Sequence, residues 1–222
     1  MCNPQNGKNK QNKEPIFKII CRDIVRYTLI VLYKIICRVK VIGKENVPKK
    51  EEGPFILCGN HVVPIKVPVI ELFTTGRRRV YFVAKIELLK NPILRFLGYL
   101  FNVIPVKRGA KDMSAMKQSL KVLNQGDVLG IFPEGTTNGL KKKVRIKTGT
   151  AFMALRTGCK VLPVGIKAAK FGKVIVNIGK PIDFKDRQEK NPEKELLEST
   201  TKEIMDEIIM LTETAKWCII FW

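Results

Sequence analysis

The chain has 222 residues, of which 45% are hydrophobic, so it is long enough to bury the core of one large domain. Its 41 Lys and Arg residues outnumber its 20 Asp and Glu residues, and the formal net charge of +21 predicts an anionic partner: a membrane surface, a phosphorylated substrate or nucleic acid. Nucleic acid is disfavoured, because the sequence has neither a reader module, such as a helix-turn-helix or zinc finger, nor basic residues interleaved with exposed aromatics.

The first segment, residues 1–14, is polar and basic. It has too little apolar content to offset the entropy cost of ordering, which predicts a disordered tail. Residues 15–40 are rich in Ile, Leu, Val and Tyr, but their longest uncharged stretch, 27–33, is far short of the roughly 18 residues that span a bilayer. We therefore expect neither a signal peptide nor a helix that crosses a membrane alone.

A helix over residues 15–38 would carry Ile and Leu on a broad apolar surface, which predicts an amphipathic helix at a membrane interface. Five basic side chains would then reach towards lipid phosphates: Lys18, Arg22, Arg26, Lys34 and Arg38. The alternative is a core helix whose basic residues face solvent. At the other end of the chain, the aromatic segment 217–222 is either a second interfacial anchor or part of the core.

From residue 39 onward, short apolar runs alternate with helical stretches. We predict strands over residues 39–42, 55–58, 80–84, 128–132, 161–167 and 174–178, and helices over 67–75, 87–94, 112–124, 148–156 and 192–216. Asn191 is expected to cap the last helix, with Pro192 at its first position.

This alternation predicts an α/β fold, with a largely parallel sheet flanked by helices in a single domain. We place the body of that domain at residues 41–190. Residues 191–222 supply a C-terminal helix and the aromatic tail of the same domain. The amphipathic helix of residues 15–40 precedes it.

The cysteines and the single histidine limit which kinds of metal site, disulfide and catalytic base the chain can form. The six cysteines form no Cys-x-x-Cys pair and His61 is the only histidine, so no metal site is predicted and the thiols are expected to be reduced, in the cytoplasm. Imidazole exchanges a proton near neutral pH, so His61, directly after the apolar run 54–58, is a candidate general base. A lone histidine in a loop is also a common structural residue.

Two further strand ends carry polar residues. Glu134 and Gly135 follow the run 128–132, where glycine lets the backbone approach a ligand and nearby amides can donate to phosphate oxygens. Residues 104–108 end in Lys107 and Arg108, and arginine binds phosphate in a bidentate manner. Taken alone, each segment is also explained as a turn or as a solvated charge.

Taken together and in this order, the segments resemble the lysophosphatidic acid acyltransferase family, the 1-acylglycerol-3-phosphate O-acyltransferases of the glycerolipid acyltransferase superfamily. The resemblance covers residues 39–183. It is carried by residues 41–48, Asn60-His61, 85–88 with Asn91-Pro92, 104–108, 132–136, 147–149 and 162–164.

The resemblance implies transfer of a fatty acyl chain from acyl-CoA or acyl carrier protein to the 2-hydroxyl of lysophosphatidate, making phosphatidate for phospholipid synthesis. It implies an enzyme associated with the cytoplasmic face of an anionic membrane, with no cofactor, no metal and no nucleic-acid partner. His61 would be the general base and Arg108 would bind the glycerol phosphate. Glu134 and Gly135 would shape the same pocket, with Lys85 as a further candidate contact.

The chain departs from the family pattern at Lys66, where the family carries an Asp that orients the histidine. An ammonium group has no acceptor for an imidazole N–H and repels an imidazolium. One hypothesis is an active enzyme in which Glu71, Glu134 or a backbone carbonyl orients His61. A second is a catalytically impaired relative that binds lysophospholipid or acyl donor at the membrane. A third, from another class, is nucleic-acid binding with a vestigial motif.

Overall fold

A seven-stranded sheet positions the polar loops of the chain. The computed structural model describes residues 14–61, 75, 78–107, 112–135, 146–168 and 173–215. Within these, the strands are β1 (Lys40–Ile42), β2 (Phe55–Gly59), β3 (Val80–Lys85), β4 (Ile104–Val106), β5 (Val128–Ile131), β6 (Lys160–Ala168) and β7 (Val174–Ile178). Their order is β1-β7-β6-β2-β5-β3-β4, and neighbours are parallel except β6 and β7. The predicted α/β fold with a largely parallel sheet is confirmed.

Strand β2 lies in the middle of the sheet, and all five of its residues are buried. Because successive strand side chains point to opposite faces, Ile56 and Cys58 pack into one hydrophobic cluster and Phe55 and Leu57 into another. Burial on both faces is the reason that this strand reads as a continuous apolar run rather than an alternating one.

Five α-helices lie within the described residues: α1 (Ile16–Cys37), α2 (Pro92–Leu100), α3 (Met113–Asn124), α4 (Gly149–Thr157) and α5 (Lys194–Thr214). Helices α3, α4 and α5 cover one face of the sheet through Leu123, Leu155 and Ile208. Helix α1 contributes Leu29 and Ile30 to the cluster on the other face. The two clusters are therefore separated by the sheet itself.

The six predicted strands agree with observed strands within one residue at each end, whereas β4 was not predicted as a strand. The predicted helices 112–124 and 148–156 are confirmed as α3 and α4. The cap of α3 explains its sharp start, because the Asp112 side chain accepts hydrogen bonds from the backbone N–H groups of Ser114 and Ala115. The predicted helix 67–75 and the aromatic segment 217–222 lie outside the described residues.

Two helix predictions are wrong in their boundaries. The predicted helix 87–94 is a 3-10 turn over Ile86–Lys90 followed by α2, which starts at Pro92 because Asn91 caps it and proline fits the first turn. The last helix starts at Lys194 rather than 192, and Asn191 is not its cap. The extended residue before this helix is Glu193, so Glu193 takes the capping position that we predicted for Asn191.

Helix α1 is present over Ile16–Cys37, but its orientation differs from the prediction. Lys18 and Arg26 are only 9% and 8% exposed, so they face the protein instead of reaching towards lipid. Lys18 donates to Asn102 Oδ1 at 2.6 Å and pairs with Glu14 at 3.1 Å. Buried acceptors explain the inward position of Lys18, because they satisfy a cation that would otherwise need solvent.

Candidate active site

The predicted site residues that the structure describes lie at the carboxyl edge of the parallel strands. β2 pairs with both β5 and β6, and β5 pairs with β3. His61 therefore follows the end of β2, Glu134 and Gly135 follow the adjacent β5, and Lys85 ends β3 on the far side of β5. Loops at this edge of an open α/β sheet are where such folds bind ligands.

The Asn60 side chain fixes the point at which the chain leaves β2. It is 5% exposed, and its amide donates to Ile166 O at 2.9 Å while its Oδ1 accepts from Ile166 N at 2.6 Å. The last backbone pair of β2 and β6 is Gly59 with Val164. The side-chain amide of Asn60 thus extends the hydrogen bonding between β2 and β6 two residues beyond the last backbone pair. This holds the backbone in place directly before His61.

Glu134 holds the backbone of His61. Its carboxylate is buried, at 3% exposure, and Oε1 accepts a hydrogen bond from His61 N at 3.0 Å. The His61 ring lies against Phe132, with ring centroids 4.8 Å apart and planes tilted by 53°. Phe132 in turn stacks on Phe82 at 6.0 Å. The imidazole is therefore placed by its own backbone and by an aromatic surface beneath it.

Gly135 closes a tight turn after Glu134. Its φ is +60°, a left-handed conformation that favours glycine, and its N–H donates to Phe132 O at 2.9 Å. The turn is tied to a second segment because Lys147 N donates to Pro133 O at 3.1 Å. The Lys147 side chain passes beside the turn, where Cε lies 3.2 Å from the position of a Cβ on Gly135.

Cys58 lies one strand position before Gly59, yet it is chemically inert. Burial raises the pKa of its thiol to about 12, and the charge of Glu134 adds to that shift while the Thr150 hydroxyl works against it. A thiolate is the nucleophilic form of cysteine, so Cys58 is not suited to carry an acyl group.

The remaining predicted residues are distributed along the same edge or lie beyond the description. Lys85 is half-buried at the end of β3, two strand spacings or about 10 Å from β2. Lys66, Glu71 and Arg108 lie outside the described residues. The residue before Arg108 is positioned by a helix cap, because Lys107 N donates to Asp112 Oδ2 at 3.0 Å.

Sequence reasoning missed three contributors. It named Asn60 only within a motif, although a buried amide at a strand end signals a backbone clamp. It treated Phe132 as a strand end rather than a surface for the imidazole. It quoted Lys147 for its resemblance alone, and no local signal places that side chain beside Gly135. Among the described residues, no group of three or more His, Cys, Asp or Glu side chains is arranged to hold a metal ion.

Comparison with known proteins agrees with this arrangement of fold and site. The model of the Acyltransferase family matches residues 38–167, more than half of the chain. The chain is 36% identical over 129 residues to a 1-acyl-sn-glycerol-3-phosphate acyltransferase of Borreliella burgdorferi, which is 57% of this chain and 50% of that protein. It is 26% identical over 219 residues to the enzyme of the same name from Streptococcus pneumoniae, 95% of this chain and 79% of that one.

A solved structure agrees as well. The crystal structure of the 1-acyl-sn-glycerophosphate acyltransferase PlsC from Thermotoga maritima superposes with a TM-score of 0.67 at 26% identity, covering 90% of this chain and 83% of that chain. An α/β acyltransferase domain is thus the class that fold and site define. The chain belongs to the acyltransferase family, and the relatives cited within it carry the 1-acylglycerol-3-phosphate acyltransferase name. The chain matches about half the length of the Borreliella relative.

Proposed function

We propose that the chain transfers a fatty acyl group from acyl-CoA or acyl carrier protein to the 2-hydroxyl of lysophosphatidate. The observation that carries the proposal is the placement of His61, the only histidine, at the carboxyl edge of the sheet. There Glu134 accepts a hydrogen bond from the backbone N–H of His61, and the preceding residue, Asn60, is tied to Ile166 by two buried hydrogen bonds. Family membership and the names of the relatives support the same reaction.

In this mechanism His61 acts as the general base. It takes the proton of the acceptor hydroxyl as that oxygen attacks the thioester carbonyl carbon and forms a tetrahedral intermediate. The intermediate collapses, the carbon–sulfur bond breaks, and the imidazolium returns the proton to the departing thiolate. The products are the new ester and a free thiol, so the histidine ends as it began and no metal is needed.

Substrate binding is proposed for basic groups around the same edge. Arg108 follows β4 and is proposed to bind the glycerol phosphate, with Lys85 as a further contact. Lys147, beside Gly135, is a second cation within reach of the turn. Gly135 allows the backbone to approach the ligand, and Glu134 is proposed to shape the pocket through its hold on His61.

A membrane-facing surface is proposed on α1 and α2, which pack against each other. Large apolar side chains are exposed there: Ile16 (76%), Phe17 (75%), Ile24 (61%), Ile35 (70%), Ile93 (68%) and Phe96 (51%). Exposed Lys34 and Arg38 on α1 would meet anionic headgroups. No helix in the described part of the chain is long and apolar enough to cross a bilayer. This surface would place the catalytic domain on the cytoplasmic face of an anionic membrane.

The decisive test of the reaction is transfer of a radiolabelled acyl chain to lysophosphatidate in detergent or vesicles, with acyl-CoA and acyl carrier protein as alternative donors. The native chain should be active, and His61→Ala should lower turnover by about 10² to 10⁴ with an unchanged melting temperature. An unaffected His61→Ala would remove the proposed base.

The same assay addresses Lys66. If another group orients the imidazole, Lys66→Asp changes an already active enzyme only modestly. If the native chain is inert and Lys66→Asp gains activity, the alternative holds: a catalytically impaired relative that binds lysophospholipid or acyl donor. Lys117→Asp on α3 makes the same charge change at an exposed site away from this edge, and should have no effect.

The membrane surface has its own test. Replacing Ile24 and Ile35 with Asp should release the protein from phosphatidylglycerol vesicles in co-sedimentation, since each removes an exposed apolar contact and adds a like charge. Met210→Asp places one new carboxylate on an exposed site of α5 and should leave binding unchanged. Equal binding of all three proteins would contradict the assignment.

A further inference from the structure

We propose that the pocket between α1 and the amino ends of β3 and β4 is a binding site for a phosphate-type oxyanion, distinct from the acyl-transfer site. Four arginines line it, namely Arg22, Arg26, Arg78 and Arg79, together with Asp23, Val80 and Asn102. This goes beyond the proposed reaction and does not depend on it. Two of the lining side chains carry the argument, Arg26 and Asn102.

Arg26 is a buried cation that the described residues do not neutralise. It is 8% exposed, and it makes no ion pair or hydrogen bond with any group in the described part of the chain. Its neighbour on the helix face, Arg22, is paired at 2.7 Å with Glu14. An unpaired buried charge is costly, so the pocket is electrostatically complete only when an anion meets Arg26.

Asn102 presents a second buried donor to the same pocket. Its Oδ1 accepts from Lys18 at 2.6 Å, which fixes the orientation of the amide. Its Nδ2 is buried and has no hydrogen-bond partner. Asn102 also has φ of +52°, a conformation that asparagine tolerates better than most residues. The Arg26 guanidinium lines the pocket, and the unbonded Asn102 amide belongs to a lining residue; both are donors of the kind that bind the oxygens of a phosphate group.

The other arginines of the pocket already have partners within the protein, and only one carboxylate lines the pocket. Arg79 pairs with Glu14 at 3.4 Å and, more distantly, with Asp127 at 3.9 Å. Arg78 donates to the carbonyl oxygens of Gly53, at 2.7 Å, and of Pro48, Lys49 and Gly126, at 3.3 Å. Asp23 is the only carboxylate among the lining residues. Cations therefore outnumber carboxylates around the pocket.

The position separates this pocket from His61. Tyr81 is level with Ile56 across β5, so Arg79 and Val80 lie about six strand residues, or roughly 20 Å, from the level of His61. The pocket volume is about 20 Å³, enough for one water-sized group. One oxygen of a tetrahedral anion would enter, and the rest would stay at the mouth. That geometry suits both free phosphate and the phosphate of a lipid headgroup.

The test is thermal unfolding of the full chain in neutral detergent, with sodium phosphate compared with sodium chloride at matched ionic strength. Phosphate should raise the melting temperature in a saturable way. Arg26→Gln should weaken the apparent phosphate affinity about tenfold or more, because it removes a charge-assisted contact. It should also leave the melting temperature without phosphate equal or higher, since it removes an unpaired buried charge. If Arg26 had only a structural role, Arg26→Gln would lower the melting temperature without phosphate and leave the phosphate response unchanged.

Two further variants make the result specific. Asn102→Asp retains the acceptor for Lys18 but replaces the Nδ2 donor with a carboxylate oxygen, so it should abolish the phosphate response. Lys202→Gln removes the same charge as Arg26→Gln from an exposed position of α5, and should leave the response intact. Circular dichroism checks that each variant is folded.

The source of the anion is resolved by repeating the melts in vesicles. Protection by phosphatidylglycerol vesicles, but not by phosphatidylcholine alone, that requires Arg26 would identify a lipid headgroup. A saturable response to inorganic phosphate in detergent that requires Arg26 would identify a free anion. If Arg26→Gln and Asn102→Asp match the native chain in both media, the pocket holds only water and the proposal is wrong.

Discussion

The two ends of the parallel strands hold their polar groups in different ways. At the carboxyl ends, the Asn60 side chain is bonded to the backbone of Ile166 and the Glu134 carboxylate accepts from His61 N, so that hydrogen bonds to backbone groups position His61. At the amino ends, the side chains of Arg22, Arg79 and Glu14 form ion pairs that join α1 to the sheet. The first arrangement positions a reactive ring, whereas the second attaches a helix.

The difference follows from what each end must do. At the proposed base, His61, the backbone is restrained by Glu134 and one ring face is supported by Phe132. The outer face of α1 is apolar, with Ile16 76% and Ile35 70% exposed, so ion pairs on its inner face, beside Leu29 and Ile30, help to orient it. Charges that sequence reasoning assigned to lipid are used for that purpose. Each arrangement can be disrupted separately.

The largest expected effect is at Asn60. Replacing it with Ala leaves the N–H and C=O of Ile166 without their partners inside the protein, so we expect a loss of about 2 to 4 kcal/mol in the free energy of unfolding. Urea unfolding measures it. Asn46→Ala is the matched control, because Asn46 makes one half-buried bond to Ile178 O and should cost about 1 kcal/mol. Equal losses of unfolding free energy in Asn60→Ala and Asn46→Ala would contradict a specific role of Asn60 in fixing the end of β2.

The next effect is at Glu134 and is catalytic. Glu134→Ala removes the acceptor for His61 N and should lower kcat by about tenfold to a hundredfold through misplacement of the imidazole, with little change in KM for lysophosphatidate. Glu134→Gln retains an oxygen acceptor and should lose less. If KM rises instead and kcat is preserved, Glu134 contacts the substrate and its role as a positioning residue fails.

Much of the carboxyl edge was predictable because it depends on local signals and one topological rule. Apolar runs locate β2 and β5, and parallel pairing then brings His61 and Glu134 together. The start of α3 was predicted to within one residue as well, although the capping role of Asp112 was not. The contact of Lys147 with the Gly135 turn was not, because it depends on the path of a connection rather than on any local pattern.

The orientation of α1 was not predictable for a different reason. An amphipathic pattern defines two faces but does not say which one meets the protein, and basic residues usually face solvent. Here Lys18 and Arg26 face inward because Glu14, Asn102 and their surroundings accept or enclose them. Those partners lie up to 84 residues away along the chain, so the sequence pattern alone cannot pair them.

A smaller effect is expected at the amino ends in acid. Burial alone would raise the pKa of Glu14, but hydrogen bonds from Arg22 and Lys18 and the charges of Arg22 and Arg79 lower it overall. Its stabilisation is thus present above the unfolded pKa of 4.5 and is lost as the pH falls through the lower folded value. Glu14→Gln should cost about 1 kcal/mol at neutral pH and remove that acid dependence.

Melting temperatures measured between pH 3 and pH 6 test the Glu14 prediction. Glu198→Gln is the control, because Glu198 is 53% exposed and its pair with Lys194 at 3.9 Å should contribute little. The native chain and Glu198→Gln should share the same acid slope, and Glu14→Gln should be flatter. A Glu14→Gln curve parallel to the native one would show that the ion pairs at α1 do not couple to folding.

The smallest expected effect concerns Cys58, whose reactivity reports whether water reaches the carboxyl end of β2 beneath His61. With burial raising the pKa of Cys58 to about 12, roughly one thiol in three thousand is ionised at pH 8.5, against about half for an exposed cysteine. Iodoacetamide should therefore leave Cys58 unmodified in the native chain, and mass spectrometry should find it alkylated only after denaturation. Since Glu134 contributes to the shift, Glu134→Gln should make this thiol modestly more reactive. Rapid native alkylation of Cys58 would mean that water reaches the base of the site, and a covalent acyl intermediate on sulfur would again have to be considered.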